Sequence, residues 1–158
     1  MKMTVRRAEG VDISGIIKLL RQVNNVHADI RPDLFIHDKT KYTAEELKGI
    51  ICNPTTPVFV GESDVGEIIG YAFTQFKRTI GQNNLQDNVE LYIDDICFDE
   101  GIRGQGLARI IYDEVLHFAR KNAVDRVTLH VWEGNESAKR FYEKCGMKPY
   151  YYAMEQVL

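Results

Sequence analysis

The strand-to-helix turn that decides the fold reads Cys97-Phe98-Asp99-Glu100-Gly101-Ile102-Arg103-Gly104-Gln105-Gly106-Leu107-Ala108. It follows a predicted strand and opens a predicted amphipathic helix with apolar residues at helical spacing. Glycines let a backbone approach a ligand closely, and the first N–H groups of a helix point outward without partners in the helix. Together with the helix dipole, these groups predict a site for a phosphate or pyrophosphate. For the glycines alone, an ordinary tight turn remains the alternative.

Two common nucleotide-binding patterns do not fit this turn. Gly101 and Gly106 have the spacing of a P-loop, but a Leu-Ala pair follows where Lys and Ser/Thr would hold phosphates and magnesium. Gly104 and Gly106 begin a Rossmann pattern, but Arg109 replaces its third glycine. ATP hydrolysis and dinucleotide binding are therefore disfavoured.

Acidic residues are concentrated just before and within the turn. The chain has 158 residues and a net charge of −3, which excludes a strongly basic nucleic-acid binder. Residues 87 to 102 contain six acidic and no basic residues, whereas the segments on either side are slightly basic. An acidic strand beside an anion-binding turn predicts two opposite local fields, one that attracts an anionic ligand and one that attracts a cationic ligand.

The length and composition predict one domain, residues 1–158. This length suits a single core, and no stretch approaches the roughly 18 apolar residues of a membrane helix. The first residues lack the apolar stretch of a secretory signal, so we expect a cytoplasmic protein without a membrane partner. Cys52, Cys97 and Cys145 match no zinc-ligand spacing and are interpreted as structural, so no metal site is predicted.

The remaining patterns predict the element order β-α-α-β-β-β-α-β-α-β. A first helix begins near Ile13 with Asp12 as its cap. A second begins after Thr43, where Glu46 completes a capping box. Strands separated by helices, together with an early hairpin, indicate an α/β (α+β) fold with a mixed sheet.

Strand and loop boundaries follow from alternation and turn residues. Residues 58–60 and 68–76 form the predicted hairpin, and residues 77–88 are expected to be an exposed loop. Residues 148–158 are expected to form one long closing strand. Its exposed edge carries Tyr150, Tyr151 and Tyr152. Such an edge is a liability in a monomer, so we expect a homodimer that covers it.

Two segments carry distinctive motifs. The first is Arg103-x-x-Gly106-x-Ala108, preceded by the strand Tyr92–Phe98. The second runs from Trp132 to Met147 and contains, in order, Asn135, Ala138, Phe141-Tyr142 and Gly146. Together they resemble the two motifs of the GNAT superfamily of acetyl-CoA-dependent N-acetyltransferases, over residues 89 to 150. The resemblance implies a central, mostly antiparallel sheet, splayed at the cofactor site and flanked by about four helices.

This resemblance implies acetyl-CoA as the acetyl donor and assigns residues to it. Part of the strand would pair with the pantetheine arm through its backbone, and the turn would hold the pyrophosphate with help from two arginines. The implied cofactor-binding residues are Ile96, Cys97, Phe98, Arg103, Gly104, Gln105, Gly106, Leu107, Ala108, Arg109, Asn135, Ala138 and Tyr142.

The resemblance also implies how protons move during the transfer. Tyr142 would protonate the departing CoA thiolate. The attacking amine must lose a proton, and Glu90 and Asp94 are the candidate acceptors, directly or through water. Strand alternation places Glu90, Tyr92 and Asp94 on one face, whereas Asp95 points to the other unless a bulge intervenes.

The motifs identify the acetyl acceptor less closely than they identify the donor. Asp94 and Asp95 stand where diamine acetyltransferases carry a Glu-Asp pair, and the shorter Asp94 favours a water relay. The expected substrate-binding residues are Tyr92, Asp94, Asp95, His27 and Arg31. The leading hypothesis is an N-acetyltransferase that moves the acetyl group directly to a primary amine of a cationic small molecule or peptide. The alternative is a non-catalytic acyl-CoA-binding or sensory module.

Overall fold

Five strands form one sheet in chain order, in a computed structural model that describes residues 2–158. They are β1 (Met3–Arg7), β2 (Val58–Ser63), β3 (Ile68–Thr79), β4 (Asn88–Phe98) and β5 (Arg126–Leu129). The first four pair antiparallel with their neighbours, and β5 pairs parallel with β4. The predicted mixed, mostly antiparallel sheet is confirmed.

Among residues 2–158, four α-helices pack on the two faces of this sheet. They are α1 (Ile13–Ile30), α2 (Ala44–Cys52), α3 (Leu107–Lys121) and α4 (Glu136–Lys144). One core cluster joins α1 and α2 to Val58 and Val60, and the other joins α3 and α4 to Phe59. We call these two sides of the sheet the α1 face and the α3 face. Neighbouring residues of a β-strand point to opposite faces of the sheet, so each face has its own apolar side chains and its own pair of helices.

The two predicted helix caps have different outcomes. The Thr43 hydroxyl accepts the Glu46 N–H at the start of α2, but the return bond to the Glu46 side chain that would complete the predicted capping box is not formed. Asp12 stands at the cap position of α1, as predicted, but its side chain makes no capping bond to this helix. The buried Asp12 carboxylate instead pairs with Arg6 at 2.8 Å and accepts the Glu9 N–H. Charge-assisted bonds of this kind are stronger than a neutral cap.

The loop after β3 is shorter than its sequence predicts. β3 continues to Thr79 and β4 begins at Asn88, so the connection spans residues 80–87. Lys77 lies opposite Glu90 in the antiparallel ladder. The backbone ladder with the opposing strand thus extends both strands into a polar stretch that has no apolar pattern of its own.

The predicted closing strand is absent. Residues 148–158, which we call the tail, contain no strand and are exposed. Pro149 lacks the N–H that a central ladder position would donate. Side chains hold the tail instead: Tyr151 is hydrogen-bonded to His130, and Glu155 pairs with Arg31 at 2.6 Å.

Candidate active site

A gap opens between β4 and β5. The two strands pair only from Glu90 opposite Arg126 to Ile93 opposite Leu129. Beyond this point β4 continues to Phe98 along β3, with no partner from β5. The gap therefore leaves the edge of residues 94–98 without a partner strand, and these residues include the three positions expected to pair with pantetheine.

A β-bulge at Asp94 reverses the faces of β4. Two consecutive residues of β3 lie opposite Asp95 and Ile93, so Asp94 is an extra residue on β4. Before the bulge, Leu91 and Ile93 pack on the α3 face; after it, Cys97 packs on the α1 face. Asp95 precedes Cys97 by two residues and shares its face. The bulge therefore turns both neighbouring carboxylates toward the α1 face.

Asp94 is held by two side chains from the loop between α1 and α2. The Lys41 ammonium lies 2.8 Å from its Oδ1, and the Tyr42 hydroxyl donates to its Oδ2 at 2.6 Å. Burial, followed by the Asp94 bond, raises the pKa of the Tyr42 phenol above its ordinary value, so it remains a donor. Asp94 is thus a carboxylate that already binds an ammonium at the start of the gap.

Asp95 has a different partner from that of Asp94, on β3. It accepts a hydrogen bond of 2.6 Å from the hydroxyl of Tyr71, a fully buried residue of β3. Burial raises the pKa of the Asp95 carboxyl to about 6, against the opposing effects of Tyr71 and Lys41. A carboxyl that titrates near neutral pH is suited to accept and release a proton.

The turn after β4 presents backbone N–H groups at the start of α3. Gly104 and Gly106 have φ angles of 82° and 75°, in the left-handed region that favours glycine. A Cβ at either position would meet nothing within 4 Å. Asp99 anchors the turn by accepting the Gly101 N–H at 2.9 Å. Arg103 is exposed at the turn, and Arg109 pairs with Asp113 at 2.8 Å.

α4 carries the proposed acid on the α3 face. Asn135 caps this helix by accepting the Ala138 N–H at 3.3 Å. Tyr142 packs against Phe141 and Tyr112, with ring centroids 5.2 and 6.5 Å away. Burial, and then the nearby Asp95, raise the pKa of the Tyr142 phenol well above its ordinary value. The phenol therefore keeps its proton at neutral pH and can donate it.

Cys97 is buried on the α1 face of β4, two residues after Asp95. Its thiol is within 3.5 Å of the Leu19 carbonyl oxygen. Burial, and then the Asp95 carboxylate, raise its pKa to about 12. The thiolate is the nucleophilic form of cysteine, so this site does not favour an acyl-cysteine route.

Glu90 and Tyr92 lie in the paired part of β4, before the gap. The Glu90 carboxylate accepts a hydrogen bond from the Thr128 hydroxyl on β5. Tyr92 is within 3.3 Å of His130, and the Lys77 ammonium lies 3.8 Å from the centre of its ring. Glu90 is thus placed away from the bulge, while Tyr92 forms a cation-binding surface beside it.

His27 and Arg31 lie at the end of α1. His27 is half-buried against Phe35, and burial, followed by Lys41, lowers its pKa. The Arg31 guanidinium pairs with Asp33 at 2.7 Å and with Glu155 of the tail. His27 therefore borders the Lys41 region, whereas Arg31 mainly fixes the tail.

Sequence reasoning missed three residues of the acidic site: Lys41, Tyr42 and Tyr71. The first two belong to a polar loop without periodicity, 53 and 52 residues before Asp94. Tyr71 stands in an apolar strand, where an aromatic residue is ordinarily part of the core. The sequence held one indication of these contacts: carboxylates predicted near a strand end need hydrogen-bond donors, and tyrosines elsewhere in the chain can supply them.

A second cleft, of about 600 Å³, opens between the start of α1 and the hairpin of β2 and β3. Most of its charged side chains pair with one another: Arg6 with Asp12 and Glu62, and Lys18 with Asp99. It contains none of the predicted site residues, so we do not assign the active site to it.

Within residues 2–158, no cluster of three or more His, Cys, Asp or Glu residues is arranged to hold a metal ion. No described helix is long and apolar enough to cross a membrane.

The geometry agrees with a comparison against protein families. The model of the acetyltransferase (GNAT) family matches residues 21–147, which is most of the chain. The chain belongs to the GNAT acetyltransferase family. The match includes α3, α4 and the gap, as the two sequence motifs predicted.

Individual relatives of this GNAT chain show the fold more clearly than the substrate. A tetramutant of the BH1408 protein from Bacillus halodurans has a TM-score of 0.94 at 28% identity, covering 98% of this chain and 99% of that one. A glucosamine-6-phosphate N-acetyltransferase from Arabidopsis thaliana has a TM-score of 0.74 at 21% identity, covering 99% of each chain, which shows the fold alone. A mycothiol acetyltransferase from Beutenbergia cavernae is 38% identical over 60 residues, 38% of this chain and 20% of that protein.

GNAT acetyltransferases use acetyl-CoA, and this site fits it. The edge of residues 94–98 is long enough to pair with an extended arm. The open space over Gly104 and Gly106, at the N-terminus of α3, suits a pyrophosphate. The chain thus has one surface suited to the extended pantetheine arm of acetyl-CoA and another suited to its pyrophosphate.

Proposed function

We propose that residues 1–158 form a single N-acetyltransferase domain that transfers the acetyl group of acetyl-CoA directly to a primary amine. One observation carries this proposal: the gap beside β4 has a glycine turn and the N-terminus of α3 at one end and a pair of carboxylates at the other. An acetyl donor with a pyrophosphate and an amine with a positive charge would meet between them. Orientation of two reactants in one cleft contributes roughly 7–11 kcal/mol to such a reaction.

Acetyl-CoA, when bound, supplies the activated acetyl group, and the chain supplies position and protons. The turn from Arg103 to Ala108 binds phosphate, and the β4 edge orients the arm. Asp95, in place of the Glu90 and Asp94 expected from the sequence, takes the proton that the amine loses, through water, because its pKa of about 6 lets it release that proton again. The neutral phenol of Tyr142 donates a proton to the departing sulfur.

The acceptor is proposed to be a cation. Two ammonium groups of the chain itself occupy the acceptor side of β4, one on Asp94 and one over the ring of Tyr92. Both are positions that attract a positive charge, through a carboxylate in the first case and an aromatic face in the second. Polyamines, aminoglycosides, lysine and peptide N-termini have the required chemistry.

An amine panel tests this function. The protein is incubated with acetyl-CoA and amines of different charge, and release of the CoA thiol is measured. We expect turnover of cationic amines and little turnover of amines on anionic molecules. Turnover of acidic amino acids alone would contradict the proposed acceptor class. Acetyl-CoA binding without turnover of any amine would replace the enzyme with the alternative, a non-catalytic acyl-CoA-binding module.

We further propose that the chain works as a cytosolic homodimer. Cys52, Cys97 and Cys145 are free thiols, which persist in a reducing compartment. The outer edge of β5 has no strand partner among residues 2–158, and the apolar side chains of the tail lie exposed beside it. A second copy would cover both surfaces.

A further inference from the structure

The ammonium of Lys41 occupies the position beside Asp94 that we propose for the cationic acceptor. It lies 2.8 Å from Asp94, at the bulge where the gap begins. Its charge also acts on Asp95, the neighbouring carboxylate. The side chain is 47% exposed, so its nitrogen can leave the carboxylate and approach the gap.

We propose that Lys41 is a self-acetylation site, modified by the chain's own active centre. This inference rests on the proposed transfer of acetyl from acetyl-CoA to an amine. Lys41 differs from other surface lysines in having a carboxylate at the acyl site as its partner. An amine tethered to that site reacts at a high effective concentration.

The reaction balances with acetyl-CoA as the co-reactant. The Lys41 ammonium first loses a proton to water or to Asp95, which frees its lone pair. The nitrogen then forms a bond to the acetyl carbon and loses its second proton, and the bond from that carbon to sulfur breaks. The CoA sulfur leaves with the electron pair and is protonated to the thiol. Acetyl-lysine, CoA and one proton released to solvent are the products.

Acetylation changes the site that it occupies. Acetyl-lysine carries no positive charge, so it cannot form the ion pair with Asp94. The Asp94 carboxylate would keep the hydrogen bond from Tyr42 and become accessible to an external ammonium. Lys41 thus competes with a cationic acceptor before modification and stops competing after it.

Lys39 provides a matched control. It is an exposed lysine of the same loop, two residues from Lys41, and within residues 2–158 it forms no ion pair. The purified protein is incubated with acetyl-CoA, its intact mass is followed with time, and the modified residue is located by peptide mapping. We expect one acetyl group per chain, with acetylation at Lys41 about tenfold or more faster than at Lys39. Lys41→Arg should lose this modification, and Lys39→Arg should keep it.

Further arms separate an enzymatic reaction from chemical acetylation. The same chain unfolded in urea should show no preference for Lys41, and Asp94→Asn should slow its acetylation about tenfold. The rate constant should not change on dilution, because the amine and the active centre share one chain. Equal acetylation of Lys39 and Lys41 in the folded chain, or a rate that falls on dilution, would overturn the inference.

The amine panel, run on the same preparation, distinguishes the two proposals. Turnover of external amines with Lys41 unmodified would overturn self-acetylation and leave the proposed function in place. Lack of both reactions in a protein that binds acetyl-CoA would overturn both.

Discussion

Tyr142 is the residue whose proposed role depends on a single oxygen atom. Tyr142→Phe removes the proton donor and keeps the ring that packs against Tyr112 and Phe141. We predict that kcat falls about 10²-fold or more, since a positioned acid contributes roughly 10²–10⁴-fold. The Kd of acetyl-CoA, measured by calorimetry, should change little.

A second tyrosine variant controls for removal of a hydroxyl in general. Tyr152 lies in the tail and is 85% exposed, so Tyr152→Phe should leave kcat unchanged. Equal activity of Tyr142→Phe and the wild type would remove Tyr142 from the mechanism.

Asp95 should set the acidic limb of the pH profile. A base must be ionised to accept a proton, and burial raises the pKa of Asp95 to about 6. We therefore predict that kcat/KM rises with pH through about 6, and that Asp95→Asn lowers activity and abolishes this limb. Asp64→Asn, in the exposed turn after β2, is the control and should retain it. An unchanged limb in Asp95→Asn would assign the titration to another group.

The same pKa has a consequence for stability. A folded-state pKa above the ordinary Asp value, near 3.9, means that the folded protein binds this proton more tightly than the unfolded chain does. The contribution of Asp95 to the free energy of unfolding is therefore complete below about pH 4 and is lost as the pH rises through about 6. Urea unfolding of Asp95→Asn between these pH values should show a weaker decline than that of the wild type.

Among the elements, the start of α3 offers the sharpest test of cofactor binding. Gly106 precedes the helix with a φ of 75°, and a Cβ there would meet nothing within 4 Å. Gly106→Ala therefore costs about 1–2 kcal/mol through backbone strain alone. We predict weaker acetyl-CoA binding by calorimetry, because relief of the strain moves the N–H groups and the methyl group enters the phosphate site.

A glycine in another helix gives the matched control. Gly49 lies within α2, where a Cβ would also meet nothing within 4 Å, and it lacks a positive φ. Gly49→Ala should stabilise the protein by about 0.5–1 kcal/mol and leave the Kd of acetyl-CoA unchanged. Similar loss of binding in both variants would show that the turn has no special role.

Elements defined by local sequence were predictable, and those defined by pairing were not. The turn before α3 and the cap of α2 depend on neighbouring residues, so their motifs were sufficient. The extension of β3 depends on the opposing strand, and the pairing of Asp94 with Lys41 joins residues 53 positions apart. The bulge that aligns the two carboxylates inserts one residue into a ladder, and strand alternation alone cannot reveal it.

At the scale of the whole molecule, the sheet is open at β5. This strand has only four residues, and no strand among residues 2–158 covers its outer edge. The tail beside it exposes Tyr152, Met154 and Val157, each at least 80% accessible. Exposed strand edges and apolar side chains together favour association with another chain.

We predict that the chain is a homodimer whose interface includes the tail. Light scattering at micromolar concentration should give about twice the chain mass of 18.2 kDa. Replacing Met154 and Val157 together with Lys should shift the protein toward the monomer, because buried lysines disfavour an apolar interface. Val65→Lys changes an equally exposed apolar residue in the hairpin of β2 and β3, 77% accessible, and should preserve the dimer. A monomeric mass for the wild-type chain would contradict the prediction and leave the tail as a feature of the single chain, held by His130 and Arg31.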